Sequence, residues 1–318
     1  MTITVIGSGR WGTFIAYYLD TLGHTVTLYG RKGSSAYQCL AETRKNEYVT
    51  LPDSLRLTDE LSVVSESDLV LISIGSQGLR ALCHEPDMQG LRNKTVVLCM
   101  KGLEIETGCR LTEIVEQSLH SSNTAAVWIG PGHVQEFVAG IPNCMVIDSA
   151  DEEVKYRLVE AFSGPLIRFY YGSDLIGNEV GAAAKNVIGI AAGMLDGYHL
   201  SSLKGALMSR GTREIARLIR AMGGNELSAY GLCHLGDYEA TVFSPYSHNR
   251  RFGEAFVKGE AFEALAEGYY TVKALIALGK TYQVELPICQ AVYQVLYENA
   301  VPQTALRALF DRSLKQEF

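Results

Sequence analysis

Lysine 185 stands where a proton donor would be useful. It is the only charged residue between Glu179 and Asp196, and its neighbours are Val, Ile, Ala, Gly, Met and Leu with a single Asn186. Side chains this apolar on every face read as a buried helix over residues 178–197. Gly181, Lys185, Gly189 and Gly193 recur at every fourth position, so they share one stripe. A glycine inside a helix costs roughly 1 kcal/mol relative to alanine, so the stripe needs a close approach by a helix, a backbone or a ligand. The lysine either snorkels to water, pairs with one carboxylate in a structural role, or moves a proton. The residues alone leave these open.

A second kind of chemistry is written into Gly7-Ser8-Gly9-Arg10-Trp11-Gly12. It follows an N-terminal apolar run, 3–6, and opens a helical pattern over 13–22. In a βαβ unit, Gly7 permits the tight turn, Gly9 lets a pyrophosphate approach the backbone, and Gly12 allows close packing of helix on strand. The helix N-terminus then aims its N–H groups at the phosphates. The second strand, 25–29, runs into Gly30-Arg31-Lys32-Gly33-Ser34-Ser35. An NAD site usually has an acid there for the ribose 2′-hydroxyl. Two bases and two hydroxyls favour a 2′-phosphate, hence NADP(H), with NAD(H) possible; a solvated basic loop is the competing reading.

Two strand ends stand out. Lys101 follows the strand-like run 95–100, and Gly130-Pro131-Gly132-His133 follows the run 125–129. Ligands of such sheets bind past the C-terminal ends of the strands. In the helical part, residues 236–253 stand out as polar, with Ser247, His248, Asn249 and an arginine pair. Several donors beside positive charge suit a phosphate, although an exposed loop entering a helix at Phe252 explains the same composition.

These residues need elements to hold them. Strand-like runs at 68–74, 95–100, 125–129, 144–148 and 166–170 alternate in their earlier part with helical stretches, as a mostly parallel sheet requires. From about residue 175 helical periodicity takes over, at 202–222, 260–278 and 288–298. The expectation is an α/β Rossmann-like dinucleotide-binding domain over 1–174 and an all-α substrate-binding and catalytic domain over 175–318.

Composition narrows the function. The 318 residues suffice for two domains, and a net charge of −7 argues against binding nucleic acid or an anionic membrane. No apolar run approaches the roughly 20 residues of a membrane span. The start, MTITVIG, shows no basic leader or cleavage site. The seven cysteines are scattered without a CxxC pair, and the seven histidines lack ligand spacing. Free thiols in a reducing cytoplasm fit better than disulfides or metal ligands.

The chain resembles the NAD(P)-dependent glycerol-3-phosphate dehydrogenases of bacterial type, nearly end to end. The matching pieces, in order, are GSGRWGT at 7–13, KGLE at 101–104, GPGHVQEFVAG at 130–140 and GNEVGAAAKNVIGIAAGMLDG at 177–197. They continue with SRG at 209–211, LGD at 235–237, SHNRRFGEAF at 247–256, AEG at 266–268 and ELPICQAVYQVLYE at 285–298. The resemblance implies a helical domain like that of 6-phosphogluconate dehydrogenase and a homodimer. It implies reversible hydride transfer between a nicotinamide cofactor and the carbonyl of dihydroxyacetone phosphate, giving sn-glycerol 3-phosphate, a phospholipid precursor. It makes Lys185 the general acid and base, with Asp237 and Thr241 orienting it and Lys101 polarising the carbonyl. It places Gly130, Gly132 and Asn186 in the substrate pocket and Ser247, His248 and Asn249 on the phosphate. It lines the cofactor with residues 7–12, among them Ser8, Arg10 and Trp11, and with Arg31, Lys101, Val134, His248 and Glu267.

Three positions depart from the family pattern. Arg10 replaces a small residue in the glycine turn. Gly132 replaces a serine, losing a substrate hydrogen bond. His248 replaces an arginine that grips the phosphate, a change that costs affinity unless Arg250 or Arg251 compensates. The last two motivate an alternative, a dehydrogenase of the same fold acting on another phosphorylated or phosphonylated compound. A cofactor-binding protein without catalysis is the third reading, and it leaves the co-occurrence of Lys101, Lys185 and Asp237 unexplained.

Overall fold

The computed structural model describes residues 1–311 and Ser313. The chain divides into two compact units: Met1–Lys101 with Cys109–Glu179, and Gly102–Gly108 with the chain from Val180 onward.

The first unit is built on one sheet of β1 (Thr2–Ile6), β2 (Thr25–Tyr29), β3 (Arg56–Thr58), β4 (Leu69–Ile72), β5 (Thr95–Leu98), β6 (Thr124–Ile129), β7 (Asn143–Ser149) and β8 (Ile167–Tyr171). The strand order is 3-2-1-4-5-6-7-8. Every neighbouring pair is parallel except β6 with β7. Strands β4 and β5 read LVLI and TVVL and are buried throughout, as parallel strands covered on both faces must be. The connections leave β1 toward β2 on one side and reach β4 on the other, so a ligand-binding crevice opens at the C-terminal end of β1. The core gathers Phe14, Leu19, Trp128, Phe162 and Ile147. This is the Rossmann-like fold expected from the glycine turn. Strand β3 was not legible: three residues pairing Thr27 with Arg56 leave no apolar run to read.

The second unit is helical. Its central helix, Leu175–Gly197, has its first turn in the first unit, the division falling between Glu179 and Val180. Around it pack Lys204–Ala221, His248–Lys258, Glu267–Thr281, Pro287–Tyr297 and Pro302–Phe310. The glycine stripe has its physical reason here. A Cβ on Gly193 would lie 1.8 Å from the carbonyl oxygen of Arg250, and one on Gly253 would lie 2.1 Å from that of Ile190. Two helices therefore touch backbone to backbone, and the glycines mark the crossing. Along the same stripe, Gly181 faces His234 and Gly189 faces Thr241.

The helix expected from residue 260 starts later, at Glu267, and runs to Thr281. Gly259 takes the left-handed conformation, φ 71°, and ends the preceding helix, with the Glu260 N–H donating back to the Ala255 carbonyl. Residues 260–266 are irregular. Among the described residues no helix is long and apolar enough to cross a membrane.

Candidate active site

The glycine turn of the first unit behaves as its spacing requires. Gly7 has φ 120°, and a Cβ there would lie 2.1 Å from the Ser73 carbonyl oxygen, just past β4. A Cβ on Gly12 would lie 2.0 Å from the Gly7 oxygen. Gly9 has open space around it. It is also the N-cap of helix Arg10–Thr21, and no side chain caps that end. Open space in front of uncapped N–H groups fits a pyrophosphate. Ser8 is buried beside Gly30. Trp11 is half-buried, stacked on Phe14 at 5.4 Å and edge-on to Trp128 at 6.4 Å. Arg31 and Lys32 are exposed two and three residues beyond the end of β2, whose Tyr29 carbonyl accepts from Gly7 N.

Lys101 and Gly130 follow neighbouring parallel strands, β5 and β6, and the Lys101 ammonium donates to the Gly130 carbonyl. Gly132 has φ 148°, and a Cβ there would meet the Phe137 ring at 2.4 Å. That ring is stacked on Phe14 at 5.2 Å and cannot easily yield. The departure to glycine at 132 therefore has a packing reason inside this chain. Val134 begins the helix Val134–Val138, and its side chain is buried in the core, which leaves its backbone N–H as the polar group there.

In the second unit Lys185 does not snorkel. It is 8% exposed, and its ammonium meets Asp237 Oδ2 at 2.9 Å and Thr241 Oγ1 at 2.7 Å. Asp237 and Thr241 are each 1% exposed. Asp237 ends the tight turn Leu235–Asp237, and Thr241 lies in the wider turn Glu239–Phe243. The polar segment that looked out of place is thus a set of turns wrapped against the glycine face of the lysine helix.

Ser247 is the N-cap of helix His248–Lys258, its hydroxyl accepting from Arg250 N. The phosphate candidates therefore sit at a helix start, where N–H groups favour an anion. His248 Nδ1 donates to the Leu265 carbonyl at 3.2 Å, its ring edge-on to Phe262. Arg251 lies over the same Phe262 ring at 5.8 Å. Arg250 is turned away: it binds Asp196 at 2.7 Å, Glu254 at 3.2 Å and the Ser244 carbonyl. The Asn249 side chain is engaged within the protein, donating to Asn186 Oδ1 at 3.0 Å and accepting from Gly268 N at 2.9 Å. Gly268 is needed there, since a Cβ would lie 2.7 Å from the Asn186 carbonyl oxygen. Glu267 opens the helix Glu267–Thr281 beside it.

Two groups escaped the sequence reading. His234 is fully buried; its Nδ1 donates to the Gly181 carbonyl at 2.8 Å and its Nε2 accepts from the Tyr238 hydroxyl at 2.8 Å. Burial, with a contribution from Lys185, lowers its pKa to about 4, so the ring is neutral. It joins the lysine helix to the turn that follows Asp237. A lone histidine in GLCHLGD carries no spacing that could have revealed this. Glu179, in the first unit, is likewise buried, held by Arg110 at 2.8 Å and by both Thr112 N and Oγ1.

Comparison with known proteins places the chain in a family. Residues 2–155 match the family model of the NAD-dependent glycerol-3-phosphate dehydrogenase N-terminus, and residues 174–307 that of its C-terminus. The chain is 35% identical to a glycerol-3-phosphate dehydrogenase [NAD(P)+] of Chlorobium limicola, over 100% of this chain and 99% of that one. It is 37% identical to the enzyme of that name from Thermus thermophilus, over all of both chains. Glycerol-3-phosphate dehydrogenase from Coxiella burnetii superimposes with a TM-score of 0.89 at 29% identity, covering 98% of this chain and 99% of that one. A ketopantoate reductase from Ralstonia eutropha shares the fold alone, at a TM-score of 0.63 and 13% identity. With both halves matched in order and relatives alike along their whole length, the chain belongs to the NAD(P)-dependent glycerol-3-phosphate dehydrogenase family.

Proposed function

We propose that the protein catalyses the reversible reduction of dihydroxyacetone phosphate to sn-glycerol 3-phosphate, with NADPH favoured and NADH accepted. The observation that carries the reading is the buried Lys185 ammonium held by Asp237 and Thr241. The bound nicotinamide supplies the hydride. As negative charge grows on the carbonyl oxygen, Lys185 donates a proton to it, and in the reverse direction takes one from the alcohol. Asp237 holds and aims the lysine ammonium. Thr241 fixes the ammonium against rotation. Lys101 contributes a second positive charge that polarises the carbonyl.

The phosphate is held at the start of helix His248–Lys258 by Ser247 and by the backbone N–H groups of His248 and Asn249. Because the Asn249 side chain is spent on Asn186 and Gly268, its contribution is through the backbone, and Asn186 is fixed in turn. Arg251, sharing Phe262 with His248, stands in for the family arginine, whereas Arg250 is committed to Asp196 and Glu254.

Residues 7–12, Arg31, Val134 and Glu267 serve the cofactor, and the exposed Arg31 and Lys32 favour a 2′-phosphate. The alternative of a different phosphorylated or phosphonylated substrate is not favoured, since relatives carrying the dehydrogenase name match the whole chain and Gly132 has a packing explanation. The reading includes a small phosphorylated substrate, a homodimer and a cytoplasmic location. The family resemblance supports the dimer, and seven free cysteines suit a reducing compartment. The test is NADPH oxidation with dihydroxyacetone phosphate, repeated with NADH. A kcat/KM below about 10⁴ M⁻¹s⁻¹, the low end of ordinary enzymes, would count against the substrate.

A further inference from the structure

The second unit contains a cavity of about 880 Å³ that none of the proposed catalytic, phosphate or cofactor residues lines. Its walls come from the C-terminal half of Leu175–Gly197 and from Lys204–Ala221, Pro287–Tyr297 and Pro302–Phe310. Leu195, Leu207, Val292, Val295, Leu306 and Leu309 make it strongly apolar. The volume lies within the roughly 300–1,000 Å³ of ligand pockets.

Charge is confined to one side. Arg210, Arg217 and Arg220 line it from a single helix, with Glu214 and Glu285 as the acids. Glu214 is 1% exposed, and its carboxylate is spent on Ile288 N at 2.8 Å and Cys289 N at 3.0 Å. Arg220 pairs with Glu226. Arg217 is half-buried and gives one N–H to the Glu285 backbone carbonyl at 3.0 Å. Burial lowers its pKa; Glu214 and Glu285 act against that, while Arg213 and Arg210 add to it. An anion beside Arg217 would offset the cost of burying its charge and the crowding by Arg213 and Arg210.

We propose that this cavity binds one long-chain carboxylate, its hydrocarbon chain against the apolar walls and its head on Arg217. A guanidinium matches a carboxylate bidentately. The nearby Glu214 and Glu285 select a single negative charge over a phosphate dianion. The apolar walls match an unbranched chain better than they match a polar metabolite.

Calorimetric titration of the full chain with dodecanoate below its micellar concentration, and with dodecanol, tests this. The expected result is saturable binding of one dodecanoate per chain. Ala291→Trp, which fills the cavity from helix Pro287–Tyr297, weakens it by about tenfold or more while NADPH binding persists. Arg217→Gln removes most of the preference for dodecanoate over dodecanol. Ala206→Trp, on helix Lys204–Ala221, replaces Ala291→Trp if that variant does not fold. Absence of saturable binding, or binding unchanged by the tryptophan, overturns the proposal. So does a dimer that the tryptophan dissociates, because a second copy of the chain would then be what covers the cavity.

Discussion

Lys185 and Asp237 form an ion pair 2.9 Å long in which the lysine is 8% and the aspartate 1% exposed. Breaking one side of a buried pair strands the other charge, at a cost of about 3–5 kcal/mol, whereas replacing both by apolar groups is often neutral. Asp237→Ala should therefore destabilise the fold by about 3–5 kcal/mol in urea denaturation. The double variant Lys185→Met with Asp237→Leu should recover most of that loss and remain inactive. A double variant as unstable as the single one would mean that the pair is not the source of the cost.

The neutral His234 makes stability depend on pH in a defined direction. Its folded pKa, about 4, lies below the ordinary value of 6.5, so the fold disfavours its protonation. The stability it contributes is full above pH 6.5 and falls as pH drops from 6.5 to 4, at up to about 1.4 kcal/mol per pH unit. Below pH 4 the loss from this group is complete. His234→Gln should be less stable at pH 7.5 but show a shallower decline over that window than the wild type. Parallel curves would place the proton uptake elsewhere.

Glycines predict opposite outcomes by position. Gly193→Ala puts a Cβ against the Arg250 backbone, which cannot move aside, and should cost several kcal/mol or prevent folding. Gly205→Ala, in helix Lys204–Ala221 with open space around it, should be neutral or stabilising by up to about 1 kcal/mol. Thermal melts of the two variants check this directly.

Restoring serine at position 132 should not improve the enzyme. Gly132→Ser brings a Cβ into the Phe137 ring at a φ of 148°, so both stability and kcat/KM should fall. A variant with a lower KM for dihydroxyacetone phosphate would show that the ring yields.

The two arginines after His248 should separate cleanly. Arg251→Ala should raise KM for dihydroxyacetone phosphate by about tenfold with little change in melting temperature, as for loss of a charge-assisted phosphate contact. Arg250→Ala should lower the melting temperature, because it takes one of its ion-pair partners from Asp196 and leaves it Lys204 and the Ser201 hydroxyl.

Much of this was written in the sequence because the local rules agreed with one another. The glycine turn lies directly after a strand; Gly7 and Gly12 are closely packed and Gly9 is open, as their spacing implied. The apolar lysine helix announced its own burial. What could not be read depends on contacts far apart along the chain. The partner of Gly193 is Arg250, 57 residues on, by subtraction of their numbers. His234 is defined by the Gly181 carbonyl, and the commitment of Arg250 by Asp196. Helical periodicity in 260–266 misled because Gly259 stops the preceding helix by backbone conformation, which hydrophobic spacing does not encode.

The most direct measurement is steady-state NADPH oxidation with dihydroxyacetone phosphate by the wild type and by Lys185→Ala, with NADPH affinity measured on both. The wild type should turn over rapidly, and Lys185→Ala should lose about 10²–10⁴ in kcat while binding NADPH nearly as well, the signature of a missing general acid. A variant that keeps most of its kcat would contradict the role given to Lys185 and, with it, the mechanism.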